Sequence, residues 1–232
     1  MDANLTLAYS SGTTPARTSS NLFETGSWTT AAYYQDVSPT LDGYIMMMMT
    51  NGHVHFFDKA NAHAYDLNIG SGDGFRAVEL SGDRVATVNW AGEVWMATRV
   101  GGSVSNWTAG QKVVTLPVNT AFGIDYCSAQ NKLLVSIYQT NRSIYSCDAS
   151  TWSCSVLVSD YSLGVSASAF ALKVDDNSAD CSFYVGIKKY PAEVADILHY
   201  NGDGTNRQVF GSSLNAIVLQ NPYAIGFESE AP

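Results

Sequence analysis

Charged side chains are scarce in this chain, and basic ones most of all. Asp, Glu, Lys and Arg make up 14% of the 232 residues, against roughly a quarter in an average soluble protein. The 12 Lys and Arg are outnumbered by 21 Asp and Glu, for a net charge of -9. They are spread thinly and form no stripe that could neutralise phosphates. Nucleic acid and anionic membrane surfaces are therefore not expected partners. Long apolar runs are missing as well. None approaches the ~20 residues that cross a bilayer, so no membrane insertion is expected. The most apolar short run, Tyr44–Met49, contains four consecutive methionines. It has strand length and reads as a core strand covered on both faces. The N-terminus lacks the basic and apolar pattern of a signal peptide. Its start, Met1-Asp2-Ala3, suits a cytosolic chain or a mature form with an added initiator methionine.

Catalytic motifs are equally absent. There is no Gly-x-Ser-x-Gly nucleophile elbow and no Gly-rich loop opening a helix to hold phosphate. The cysteine spacings do not match zinc knuckles. His53 and His55 stand two apart, so on a strand they share a face, and Asp58 is close in sequence. They read as the exposed side of an outer strand rather than as metal ligands. Asp175-Asp176 and Gly70-Ser71-Gly72-Asp73-Gly74 are explained by turn chemistry without Ca²⁺. No cofactor and no metal are expected, and no catalytic residue is assigned.

The chain is instead rich in Tyr (13), Gly (19), Ser and Thr, a mix that suits strands and turns over long helices. Five segments look like the first strand of a repeated unit: Ala31–Asp36, Phe75–Leu80, Ala121–Tyr126, Ala169–Val174 and Tyr223–Glu228. Their starts lie roughly 44 to 54 residues apart, the spacing of propeller blades. A polar turn follows each of the first four, such as Asp42-Gly43 or Gly82-Asp83. A more apolar strand comes next: Tyr44–Met49, Arg84–Trp90, Lys132–Tyr138 and Ser182–Ile187. Third and fourth strands follow, as in Val94–Val100 with Lys112–Leu116, Ser143–Asp148 with Cys154–Ser159, and Asp196–Tyr200 with Arg207–Phe210. The fifth inner strand ends the chain. Asn4–Tyr9, Pro15–Ser19 and Leu22–Thr25 would supply its three missing partners. The expected fold is all-β: one domain over residues 1–232, a five-bladed β-propeller of four-stranded antiparallel blades. Pairing the N- and C-terminal strands would close the ring and remove free sheet edges. A two-sheet sandwich is the competing arrangement.

Asp203-Gly204-Thr205-Asn206-Arg207-x-Val209, followed by Leu219-Gln220-Asn221-Pro222-Tyr223-Ala224-Ile225-Gly226-Phe227, resembles the blade repeat of YWTD propellers, the LDL-receptor class B family. The resemblance covers one blade, about thirty residues, and the Tyr-Trp-Thr-Asp tetrad itself is missing. It implies an extracellular, receptor-like protein-binding propeller. That family has six blades, which sets six against the five counted here. Five blades in a chain of this length also resemble the tachylectin-2 type of lectin.

Four cysteines remain. Cys147 and Cys154 flank the hairpin loop Asp148–Ser153, where strand pairing brings two Cα atoms within disulfide reach. Cys127 ends an inner strand and Cys181 begins the next unit's second strand, so a second bridge is expected between adjacent blades. An even count with a well-placed pair favours an oxidising compartment. Asn4, Asn106 and Asn141 head glycosylation sequons. Trp107 and Trp152 lie in polar loops and are candidate contact residues, whereas Trp90 and Trp95 read as core. The expected function is a non-catalytic extracellular propeller that binds a protein partner and is capable of self-assembly. Glycan binding, and a metal-dependent lactonase-like hydrolase, are the alternatives.

Overall fold

In the computed structural model, the structure describes residues 34–49, 52–58, 63–70, 72, 74–138, 141–175, 178–191 and 194–214. They form sixteen strands in four antiparallel sheets. The first sheet holds β1 (Tyr34–Pro39), β2 (Ile45–Met49), β3 (His53–Phe57) and β4 (His63–Asn68). The second holds β5 (Gly74–Leu80), β6 (Arg84–Asn89), β7 (Glu93–Thr98) and β8 (Gln111–Thr115). The third holds β9 (Ala121–Cys127), β10 (Lys132–Ile137), β11 (Ile144–Asp148) and β12 (Cys154–Val158). The fourth holds β13 (Ala167–Val174), β14 (Phe183–Lys189), β15 (Val194–Tyr200) and β16 (Gln208–Leu214). Each sheet is a simple meander in sequence order. The sheets meet in series through their first strands, β1 against β5, β5 against β9 and β9 against β13, and the second strand of each of the first three sheets also reaches the first strand of the next. This is blade geometry, and the sandwich is ruled out. The strands expected at residues 4–25 and 223–228, which would form the fifth blade, lie outside the described residues.

The core is divided among the three joints between blades. One apolar cluster joins the first two blades through Met46, Met48, Val54, Phe56, Ala77, Val85 and Ala97. A second joins the next pair through Val78, Ala86, Val88, Leu133, Val135 and Ile137. A third joins the last pair through Leu134, Ile144, Leu172, Phe183, Val185 and Leu198. The two-residue period of a strand explains the division. In β10, Leu133, Val135 and Ile137 point to the preceding blade and Leu134 to the following one. Strands covered on both faces read as continuous apolar runs. That is why Met46, Met47 and Met48 are all buried.

The turns at the far end of the first strands share a device. In three β-β turns a hydroxyl donates to the carboxylate two residues on: Thr40 to Asp42 at 2.7 Å, Ser81 to Asp83 at 3.2 Å, and Ser178 to Asp180. The third blade replaces this with a one-turn 3-10 helix, Ser128–Gln130, closed by Asn131 at φ 51°. The Asp203-Gly204 segment forms the β15–β16 connection, with Gly204 at φ 79° and Asn206 at φ 52°. Asp203 Oδ1 accepts from the Thr205 amide at 2.9 Å and from its hydroxyl at 2.6 Å. Gly202 admits no side chain, because a Cβ there would stand 1.4 Å from the Asp180 carbonyl oxygen.

Both cystines lie at this same end. Cys147 and Cys154 are direct cross-strand partners of β11 and β12, bonded with Cα atoms 4.0 Å apart. Cys127, at the end of β9, is bonded to Cys181, just before β14, with Cα atoms 5.7 Å apart. The second bridge therefore joins two blades, and the first lies within one.

Loop length separates their contributions to stability. The bridges span sequence separations of 54 and 7 residues. Chain-entropy arithmetic gives about 4 kcal/mol for the first and about 2 kcal/mol for the second. Urea unfolding of the Cys127→Ser/Cys181→Ser and Cys147→Ser/Cys154→Ser double variants is expected to show that order.

Candidate interaction surface

The opposite end of the blades is built differently, from aromatic rings. Trp90 follows β6, and Tyr138 follows β10. Phe122 is the second residue of β9, and Phe170 lies in the first half of β13. Tyr138 is central: its ring centroid is 5.6 Å from that of Trp90, 5.6 Å from that of Phe122 and 5.0 Å from that of Phe170. Phe122 and Phe170 meet edge to face at 5.9 Å, a favoured aromatic arrangement. Arg76, 4% exposed, sets its guanidinium over Phe122, 5.1 Å from the ring centre. It also donates to the Phe170 carbonyl oxygen at 2.9 Å. One side chain thus ties the second, third and fourth blades together.

A backbone relay positions these rings. The Thr120 amide donates to the Trp90 carbonyl at 2.7 Å, the Tyr138 amide to Thr120 at 2.7 Å, and the Ala169 amide to Tyr138 at 3.2 Å. Thr120 takes φ 66° to make the bend. Tyr161 locks the relay. Its hydroxyl donates toward the Ile137 and Tyr138 carbonyls, at 2.8 and 2.9 Å, and accepts from the Ala169 amide at 2.9 Å. Burial pushes the Tyr161 phenol well above its usual range, so it stays a neutral donor. Trp90 emerges from this frame 38% exposed, while Phe122 and Phe170 are buried beneath.

A second polar node holds the third and fourth blades below the rings. Asp125, on β9, accepts from the Val174 amide at 2.7 Å and the Tyr126 amide at 2.9 Å. Lys173 Nζ stands 3.1 Å away. Burial drives the Asp125 carboxyl upward, and Lys173 and the two amides oppose that shift.

The residues singled out from sequence are distributed elsewhere. Trp107, expected as a contact residue, stacks on Phe56 of the first blade at 5.3 Å and gives its indole N–H to the Val104 carbonyl at 2.7 Å. Its loop folds back through a bridge between Arg99 and Trp107, so the ring is an interblade packing element. Trp152 is half-buried against the cluster of the second and third blades. Trp90, expected in the core, is 38% exposed, because β6 stops at Asn89 and Trp90 opens the turn. Asn106 and Asn141 are exposed in loops, and Asn4 lies outside the described residues. His55 is buried, 7% exposed, contrary to the exposed strand face expected of it. Asp66 Oδ1 lies 2.7 Å from His53 Nδ1 and 3.9 Å from His55 Nε2. No group of three His, Cys, Asp or Glu among the described residues is arranged to hold a metal ion. No helix among them is long and apolar enough to cross a membrane.

Comparison with known proteins identifies the architecture alone. No family model and no curated protein matches the chain by sequence. Solved structures do match. The Dos1 propeller has a TM-score of 0.56 at 11% identity, over 78% of this chain and 48% of that one. U3-55K gives 0.57 at 10%, over 78% and 53%. The WD40 repeats of RRP9 give 0.57 at 10%, over 78% and 52%. The chain spans about half the length of these structures. The fold is a β-propeller of four-stranded antiparallel blades.

Removing the Asp125 carboxylate strands the buried Val174 amide and takes away the group 3.1 Å from Lys173 Nζ. Asp125→Ala is expected to cost about 1.5 to 3 kcal/mol, the range for a hydrogen bond to a charged group. Denaturant unfolding at neutral pH measures it.

Proposed function

We propose that this propeller is a non-catalytic scaffold that binds a protein partner through its aromatic end. The observation that carries the reading is Trp90. It is a large ring, 38% exposed, fixed by a backbone relay and backed by Tyr138, Phe122, Phe170 and Arg76. Tryptophan, tyrosine and arginine in a rigid setting are the residue types that dominate protein interfaces. A fixed ring also loses little entropy on binding.

Extracellular location is part of the same proposal. All four cysteines are bonded and none among the described residues is free, and such bonds persist in oxidising compartments. The exposed sequons at Asn106 and Asn141 agree with it. The YWTD-like segment supports a receptor-type role through its Asp203–Val209 hairpin. Its second half, from Leu219, lies outside the described residues.

Two measurements test the proposal. Immobilised wild-type protein and a Trp90→Ala variant are compared for retention of proteins from the native source. A partner held by the wild type is expected to weaken about thirtyfold or more in the variant, the loss of a hot-spot residue worth ~2 kcal/mol, with the melting temperature unchanged. Equal retention would remove this surface from the reading. Separately, intact mass of protein from its natural source is expected to show two bridges and hexose on Asn106 or Asn141. A reduced, unmodified mass would place the protein in the cytosol.

A further inference from the structure

The two cystines differ in what surrounds them. Cys127 and Cys181 are 3% and 1% exposed and belong to the apolar cluster between the third and fourth blades. No thiol reaches either sulfur unless those blades part. Cys147 is 0% exposed, inside the cluster between the second and third blades. Cys154 is the exception. It is only partly buried against that cluster, and it opens β12, the outermost strand of its sheet. The Cys147–Cys154 bond runs across the sheet from β11 to β12. The line that continues it past Cys154 therefore leaves the blade at its outer edge. The β15–β16 turn covers β12 further along, at Leu157, where a Cβ on Gly204 would stand 2.5 Å from the carbonyl oxygen.

We propose that Cys154 is a thiol-exchange site, at which a low-molecular-weight thiol such as glutathione forms a mixed disulfide while the fold stays intact. Exchange proceeds by attack of a thiolate on one sulfur of the bond. That approach is open at Cys154 and blocked at Cys147. The incoming sulfur bonds to Cys154 Sγ as the bond between Cys154 and Cys147 breaks. The electron pair leaves on Cys147 Sγ, which takes a proton from water. This step involves no net oxidation or reduction. A second thiolate attacking the adduct releases Cys154 as a thiolate and departs as the reagent's own disulfide, so that the pair is reduced. The site lies on the rim at the cystine end and does not depend on the aromatic end for its chemistry.

Burial of Cys147 shapes both directions of the exchange. A thiolate in apolar surroundings is disfavoured, so Cys147 leaves slowly, and exchange belongs to the minutes-to-hours class. The same burial keeps the released Cys147 as a neutral thiol, a poor nucleophile toward the adduct. The modified state therefore persists once made. The hairpin does not need the bond to keep its shape. Asp148 Oδ1 accepts from the Ser150 and Thr151 amides at 2.9 and 2.8 Å. The Trp152 amide donates to the Asp148 carbonyl at 2.8 Å, and the Asp148 amide to the Ser153 carbonyl at 3.0 Å. Asn131, in the turn between β9 and β10, donates to Ser150 Oγ at 2.6 Å. These hydrogen bonds hold the two cysteines in register, so the bond re-forms when the thiol is removed.

The test is exchange on the folded protein. Wild type is incubated with reduced glutathione at neutral pH without denaturant, quenched with acid, alkylated and mapped by mass spectrometry. Glutathione is expected on Cys154 and not on Cys147, with Cys127 and Cys181 still bonded to each other. The rate is expected to rise about tenfold per pH unit while the reagent's thiol is mostly protonated, following its thiolate fraction. It is expected to be unchanged by urea below the unfolding transition. Cleavage of the Cys127–Cys181 bond is expected to be at least about a hundredfold slower, equivalent to an opening that costs about 2.8 kcal/mol, and to accelerate with urea because the blades must part first. Cys147→Ser leaves Cys154 as a free thiol and gives a second readout. Glutathione disulfide is expected to load it with the same adduct at a rate independent of urea. Joint opening of both bridges, glutathione on Cys147, or reaction of Cys154 only as urea unfolds the protein would each overturn the site.

Discussion

Everything in this molecule depends on covering both faces of each sheet. A four-stranded blade has two apolar faces and cannot bury either alone. Each therefore needs a neighbour on both sides, and the hydrophobic clusters fall between sheets rather than within one. At roughly 25 cal/mol per Å² of apolar surface, this stacking is the principal attraction. It is also non-directional. Apolar faces alone would let blades slide past one another, and the polar ties fix their alignment.

Those ties differ at every joint. The first joint uses Arg99, which donates to Asp42, and Glu79, which accepts from the Leu41 amide. The second uses Arg84, which donates to the Ala149 carbonyl at 3.2 Å, together with the link from Thr120 to Trp90. The third uses a cystine, Asp125 and the hydroxyl of Tyr161. The aromatic end inherits its rigidity from this arrangement. Trp90 stays exposed because the carbonyl of its own residue is held by the next blade.

Blade order and strand spacing were legible in the sequence because they are local. Period-two burial, turn chemistry and a repeat length all lie within one blade. The sequence segments Lys132–Tyr138 and Arg84–Trp90 each run one residue past the strand that forms, and those single residues matter. Tyr138 and Trp90 are the first residues beyond their strands, and there they leave the core. Gly92, at φ 79°, was the local sign that a turn had begun. Trp107 is the opposite case. Its Ser- and Asn-rich surroundings look like an exposed loop, and only Phe56 on another blade reveals a packed ring. Glu79, Asp42 and Arg99 are separated by 37 and 57 residues (79 − 42 and 99 − 42), so no window of sequence could bring them together. The cysteines were tractable, since cross-strand register and blade order set their distances.

The placement of the cystines makes the molecule lopsided. Both lie in the third and fourth blades, while the first two have only non-covalent ties among their described residues. Under a pulling force or partial denaturation, the third and fourth blades remain covalently joined while the first and second can part. A protease meeting a strained molecule would thus find its cleavable segments on the N-terminal side. The cystine-linked pair would survive as a fragment, carrying Tyr138, Phe122 and Phe170 but not Trp90.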